Sequence, residues 1–310
     1  MRIGWREYIK RRFKRASKYH SVGIEFGIEE LQISTLQLIE GKLNWVKQSK
    51  IQITDWANQL KHYVDKHELH NTPCRVTLSI AKYPLLQLDK PAVEESEINQ
   101  ALQWVVKEQL GQDIELAIDH FELPASPANA KKLYVVSLPK DEVKVIRNGI
   151  LAAELNLEAI TIEELSACQL LPNSEEASVF LHQDIGDQIN LSIVKNGLLY
   201  FSRRLKGYEN LSSFSEQELQ LGIADNLALE IQRSLDYFES QLRQAPIKRA
   251  YVALDSPFQQ TIVNLIKREI LIDMVLLSPS LAKADSISAK TTHFASVGAA
   301  LGLSKGSNIS

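Results

Sequence analysis

The 310-residue chain has only two cysteines, Cys74 and Cys168, and both lie in apolar stretches. Such a pair builds no disulfide framework; it reads as two buried free thiols in a reducing compartment. No run of 18 or more apolar residues occurs, so no transmembrane helix is expected. The N-terminus lacks the apolar core and cleavage site of a secretory signal. No G-x-x-x-x-G-K-[ST], G-x-G-x-x-G or G-x-S-x-G stretch is present, so no motif names a nucleotide loop or a nucleophile elbow. The histidines are also uninformative. His62, His67 and His70 surround one predicted helix end without the H-E-x-x-H spacing of a metal pair, which makes them surface or capping groups. These absences point to a cytosolic protein, or one attached to a membrane from the cytosolic side.

What is there is an ordinary globular composition, 45% apolar and 24% charged, with a length that suggests two domains. The charge is unevenly placed. Residues 1–18 carry eight Lys/Arg and one acid, while the whole chain has a formal charge of −3, so the body is acidic. An acidic body argues against a nucleic-acid groove. Within residues 3–18, Trp5, Tyr8, Ile9, Phe13 and Ala16 share one helical face, with Arg11, Arg12, Lys14 and Arg15 elsewhere. Trp5, Arg11, Arg12, Phe13, Lys14 and Arg15 therefore form a candidate membrane-surface group on anionic lipid; a solvated terminus is the other reading.

Two stretches share one plan. Val22–Gly27 (VGIEFG) runs into Leu31–Leu36, and Val179–Leu181 runs through Asp184-Ile185-Gly186-Asp187-Gln188 into Leu191–Val194. Each reads as strand, acid-x-Gly turn, strand. Glycine there permits a close backbone approach, exposed N–H groups can cradle a phosphate, and the acid can hold its metal ion. Ordinary hairpin turns have the same chemistry. His182 lies two positions before Asp184, so both face one side of a strand; a core or loop hydrogen bond is its expected role.

The remaining pattern places strands at Val22–Leu38, Lys42–Ile53, Arg75–Ile80, Ile114–Leu123, Leu133–Leu138, Leu157–Ile162, Leu198–Leu205, Ala250–Leu254 and Met274–Leu277. Helices are expected at Asp55–His67 (Thr54 as N-cap), Glu94–Leu110 with Trp104 inward, Asp141–Leu155, Glu163–Leu171, Ser215–Leu242, Phe258–Glu269 and Phe294–Leu303. Pro84 and Pro91 bracket a looser stretch, and Ala282–Thr292 reads as a loop. Ser215 with Glu218 fits a capping box. Glu163-Glu164 opens a helix, where negative charge suits the macrodipole and implies no chemistry. The order describes a duplicated α/β protein with mixed sheets.

With these residues in place, the chain resembles the actin-like ATPase superfold (ribonuclease H-like, FtsA-related) and, within it, the PilM family of type IV pilus assembly proteins. The PilM-like members of mannose-sensitive haemagglutinin (MSHA) pilus systems are the nearest in character. VGIEFG is similar to the family's opening VGIDIG; Asp184-Ile185-Gly186 with Asn190–Val194 to its second phosphate loop; LALEIQRSLDYFESQL (Leu227–Leu242) to its long helix; and Ala295–Leu303 to its terminal helix. Asp119 takes the place of the family's central strand Asp. The resemblance implies a segment 1–20, a first half over 21–172 with an inserted subdomain at about 73–162, a second half over 173–303, and a disordered tail 304–310. It places a nucleotide and Mg²⁺, if retained, at Glu25, Gly27, Asp184, Gly186, Asp187 and Asn190. It places the tail of a PilN-like inner-membrane protein between the first-half core and the inserted subdomain.

The departures concentrate in the nucleotide loops. Glu25 replaces Asp, Glu29 and Glu30 replace small hydroxylated residues, and Gln32 replaces Lys. The second loop offers Asp187, Gln188 and Ile189 in place of a Thr pair, and Asp255-Ser256-Pro257 has no glycine where the adenosine loop should. Carboxylates repel phosphate where neutral donors are needed. The expectation is a scaffold with no or weak ATP/Mg binding that joins a PilN-like tail, and the motor, at the inner membrane. The alternatives are a working ATPase using Glu25 and Asp184, and, less supported, a small-molecule kinase.

Overall fold

Each half of the molecule begins with an antiparallel meander whose first strand then pairs in parallel with a later one. The computed structural model describes residues 17–111, 114–127, 132–279, 281–284, 287 and 294–302; the candidate membrane-surface group Trp5, Arg11, Arg12, Phe13, Lys14 and Arg15 lies outside them. In the first half β1 (Ser21–Phe26), β2 (Glu30–Ile39) and β3 (Lys42–Gln52) form the meander, and helix α1 (Trp56–His67) returns the chain to β4 (Pro73–Leu78) beside β1. The crossover that follows is long: β5 (Leu85–Asp89), α2 (Ile98–Leu110), β6 (Leu116–Glu122), β7 (Lys132–Pro139) and α3 (Lys140–Ala152) precede β8 (Asn156–Ile162), which pairs with β4. Strands β5, β7 and β6 make a separate antiparallel sheet.

A short helix α4 (Glu163–Ala167) leads into the second half: β9 (Ser178–His182), β10 (Ile189–Lys195), β11 (Leu198–Leu205), α5 (Ala224–Ser240), β12 (Arg249–Ala253), α6 (Gln259–Glu269) and β13 (Asp273–Leu276). Its sheet order, β11-β10-β9-β12-β13, repeats the β3-β2-β1-β4-β8 order of the first. The duplication expected from the two hairpins is therefore present in the strand order itself. A two-residue strand β14 (Ala282–Lys283) extends the first sheet beside β3, and α7 (Ala295–Gly302) closes the fold.

Separate apolar cores fill the halves. Val179, Leu181, Leu191, Ile231 and Phe238 pack the second half, and Val22, Ile24, Ile33, Leu60 and Val76 the first. A third core joins them through Leu36, Trp45, Phe180 and Val297. Helix α7 reaches this seam because its contact faces are nearly bare. A Cβ on Gly23 would lie 1.8 Å from the Ser296 carbonyl oxygen, and one on Gly298 would lie 2.2 Å from that of Ser166. Cys74 and Cys168 are free and buried, as their surroundings suggested.

Four local expectations change. The helix expected over Ser215–Leu242 starts at the Ser215/Glu218 capping box but breaks at a wide turn, Leu219–Ile223, where Gly222 takes φ 116° and Leu221 swings outward, 85% exposed. A residue held at that φ cannot continue a right-handed helix. Trp104 is 75% exposed, because Ile98, Leu102 and Val106 already supply the stripe that covers the three-stranded sheet. Helix α1 is entered through Asp55 in the left-handed region with no side-chain cap, so Thr54 is not its N-cap. Ala282–Lys283 is strand rather than loop, while the extended stretch expected after Pro84 is β5.

Candidate functional site

The turn after β1 and the turn after β9 border one cleft of about 530 Å³, with Glu25, Gly27, Gln32, Asp184, Gly186 and Asp187 in its lining. The structure thus brings five of the six residues named from the sequence to one place. Asn190 sits behind them. It stands in register between His182 and Arg204 on neighbouring strands, fully buried, with its Oδ1 accepting from Ser202. Ile28 and Ile185 cap the two turns and are 57% and 60% exposed.

Local hydrogen bonds fix both turns. The Gly27 N–H donates to the Glu30 carbonyl at 3.0 Å, and a Cβ at Gly27 would press to 2.9 Å from that oxygen. Gly186 takes φ 75°, and the Asp187 N–H closes the turn on the Asp184 carbonyl at 3.1 Å. Gln183 donates to the carbonyls of Asp187 and Tyr208, and the Ser79 hydroxyl donates to Asp187 Oδ2 at 3.0 Å, tying the second turn to the end of β4.

Below the turns is a buried web of acids. Oxygens of Glu25, Glu163 and Asp184 lie within 4.8 Å of one another. Glu163, at the start of α4, accepts the Ile80 N–H at 2.9 Å and pairs with His182 Nε2 at 2.7 Å. Its neighbour Glu164 accepts from the Tyr83 hydroxyl and from Arg204, whose guanidinium also donates to the Ile80 carbonyl and lies 5.0 Å from the Tyr83 ring centre. Burial, then the charge and hydrogen bond of Asp184, push the Glu25 carboxyl well above the usual range. Burial pushes Glu163 up to about 7 against the opposing pull of His182. Burial depresses His182, but the Glu163 bond and charge outweigh it, and its net shift is upward.

Glu163, Glu164, Tyr83 and Arg204 were not recognisable as site residues from sequence. The one local signal was an acid pair set between Ile160-Thr161-Ile162 and Leu165, in a stretch otherwise apolar. His182, expected to make a core or loop hydrogen bond, makes it with Glu163. His70 pairs with Asp65 and His67 packs on Tyr63, away from the cleft.

Chemically, the cleft sets carboxyl groups beside two glycine turns. Glu163 pairs with His182 and Glu164 with Arg204, Asp187 accepts from the Ser79 hydroxyl, and Lys50 pairs with Glu30 at 2.7 Å. A phosphate chain needs unengaged N–H donors or cations where these acids stand. The Asp255–Pro257 loop is closed on itself, with Ser256 accepting from Phe258 N–H and Gln259 from Leu254 N–H, and it adds no residue to the cleft.

A second concavity, about 200 Å³, is built of different material. Leu78, Ile118, Phe121, Ile160, Ile162 and Leu165 line it. It lies between β8, the outer strand of the six-stranded sheet, and β6, an outer strand of the three-stranded sheet.

No family model and no curated protein sequence matches the chain. Among solved structures, a chain of a PilM–PilN type IV pilus biogenesis complex superposes with a TM-score of 0.66 at 13% identity, over 92% of this chain and 99% of that one. A Bacteroides thetaiotaomicron protein with an actin-like ATPase fold and unknown function superposes with a TM-score of 0.50 at 10% identity, over 87% and 94%. The chain has the actin-like ATPase fold.

Proposed function

We propose that the chain is a non-catalytic, actin-like scaffold of a type IV pilus assembly platform, of the MSHA type that its sequence resembles. It works in the cytoplasm against the inner membrane and couples the membrane platform to the assembly motor. Its groove between β8 and β6 takes the short cytosolic tail of a single-span, PilN-like partner. The groove is the observation that carries this reading. It offers an apolar floor for side chains, and two outer strands whose unpaired backbone groups can bond an extended peptide. The likeness to the chain from a PilM–PilN complex supports the class of partner. The acids of the cleft support a nucleotide site that binds weakly or not at all. The basic 1–18 segment supplies further affinity for anionic lipid. No helix of the described residues is long and apolar enough to cross a membrane, in keeping with a peripheral role.

The test is a titration of the purified chain with a synthetic partner tail and, separately, with a fluorescent ATP analogue plus Mg²⁺. Tail binding without saturable nucleotide binding is the expected result. Micromolar nucleotide binding, lost in Glu25→Ala and Asp184→Ala, would replace the scaffold by a working ATPase.

A further inference from the structure

We infer that one face of the body, where helix α1 meets strand β3, is a contact for anionic lipid headgroups and sets how the molecule stands on a membrane. The inference rests on the reading that the protein works against the inner membrane. Residues 1–18 carry eight Lys/Arg and one acid, a net +7, and the chain as a whole −3, which leaves −10 on residues 19–310. An anionic surface repels such a body, so a basic tether alone lets it turn away. The body can rest on lipid only through a face that is not acidic.

Such a face lies at the C-terminal end of α1. Lys66 and His67 are in its last turn, and His62 stands four residues before Lys66 on the same side, exposed like it. Lys47 comes from another element, β3, in register with Thr35 of β2. The acids at that end are engaged by other cations: Asp65 pairs with His70 at 2.8 Å and Glu68 with Lys18 at 2.5 Å. Neither Lys47 nor Lys66 makes an ion pair among the described residues. The surplus is felt by His67, whose ring centre lies 4.4 Å from that of Tyr63. Burial, then the charges of Lys47 and Lys66, hold His67 below the usual range. The macrodipole accounts for cations in the last turn of a helix, but Lys47 is not part of the helix. Two elements therefore bring positive charge to one spot.

What covers this face follows from the chain attached beside it. The described residues begin at Ser17, whose hydroxyl shares a hydrogen bond with Thr72 at 2.7 Å. Lys18 is bonded to Glu68, the residue after His67. The seven basic residues before Lys18, and the apolar Trp5, Tyr8, Ile9 and Phe13 among them, are thus joined to the body at the edge of this face. Charge of one sign continues from the tether onto the body. An acidic protein answers the lysines alone. A bilayer with anionic headgroups answers the lysines and the apolar residues of the segment together.

The experiment is co-sedimentation of the full chain with vesicles of phosphatidylglycerol and phosphatidylcholine, and with vesicles of phosphatidylcholine alone, in about 0.1 M salt. Binding to the anionic vesicles only is expected. Lys47→Gln with Lys66→Gln should weaken it about 30-fold, and Lys66→Gln alone, at an exposed position, about fivefold. Lys206→Gln with Arg268→Gln removes as much charge from exposed positions of the second half, and should change binding by less than about twofold. The Tm of each variant is read alongside, and Lys66→Gln carries the test if Lys47→Gln lowers it. Equal weakening by the two pairs overturns the inference, since net charge alone then explains it. Unchanged binding of the Lys47 and Lys66 variants also overturns it; if Arg11→Glu, Arg12→Glu, Lys14→Glu and Arg15→Glu together abolish binding, the segment acts alone and its role stands. Poly-glutamate bound through Lys47 and Lys66, with vesicle binding unchanged in their variants, overturns it in favour of an acidic protein. Wild type that binds neither vesicle overturns both this face and the lipid role of the segment, and leaves tail binding to its own titration.

Discussion

The cleft and the groove are both seams between parts of one chain, but one is built of carboxylates and the other of hydrocarbon. The cleft joins the two halves at the ends of β1 and β9, and Glu25, Asp184 and Asp187 line it. The groove joins the first sheet to the three-stranded one, and Ile118, Phe121, Ile160 and Ile162 give it an apolar floor, with Asp119 the charged residue in its lining. A hydrocarbon seam gains from any apolar occupant by about 25 cal/mol per Å² covered, without regard to chemistry beyond shape. A charged seam gains only from the occupant that answers its charge.

Raising the pH should strain the cleft most and leave the groove untouched. Glu25 and Glu163 bind protons more tightly folded than unfolded, with Asp184, Asp187 and Glu164 facing them and His182 and Arg204 opposing. For Glu163 the stabilising effect is complete near pH 4.5 and is lost as pH climbs to about 7; for Glu25 it is likewise lost as pH rises. The raised His182 loses its own contribution in the same direction. The fall for the Glu163 step is on the order of 3 kcal/mol. Urea unfolding between pH 5 and pH 8, roughly spanning that step, measures it. Glu25→Gln should unfold later than wild type at the upper end and show a flatter profile.

Ile118→Arg or Ile160→Arg should break the groove instead. Each puts a charge where a tail is to lie, and should cost about 2 kcal/mol of tail affinity, roughly 30-fold in Kd. Calorimetry with the synthetic tail measures the loss. A smaller change sharpens the contrast from the other side. Gln32→Lys places an ammonium across from Glu25, and should stabilise the protein by about 1 kcal/mol at neutral pH, read by urea unfolding. Trp104→Ala touches neither seam. It should shift stability by no more than about 0.5 kcal/mol and leave tail binding alone, despite the size of the side chain.

Much of the frame was legible because it is local. The paired strands around Gly27 and Gly186, the capping box at Ser215 and the inward stripe Ile98–Leu102–Val106 all follow from period and turn chemistry within a few residues. What escaped was assembled from distant parts. Glu163 and Glu164 read as ordinary first-turn acids, since their burial comes from Ile80, Tyr83, His182 and Arg204, up to 83 positions away. Trp104 was misplaced because helix α2 has solvent on its far face, and an aromatic there looks no different in sequence from a core one. The break at Gly222 lies inside an otherwise periodic run, and periodicity alone does not register one left-handed residue.

The terminal helix has a consequence for how the molecule is made. Ala300 accepts a hydrogen bond from Ser21, 279 positions earlier, and Ser296 shares one with Ser34. The first sheet therefore leaves the ribosome long before the helix that covers its face exists. Closing so distant a contact is slow, and an uncovered strand face is the kind of surface that associates wrongly meanwhile. Truncation ahead of Phe294 would leave every strand intact and still give a chain with its oldest surface open.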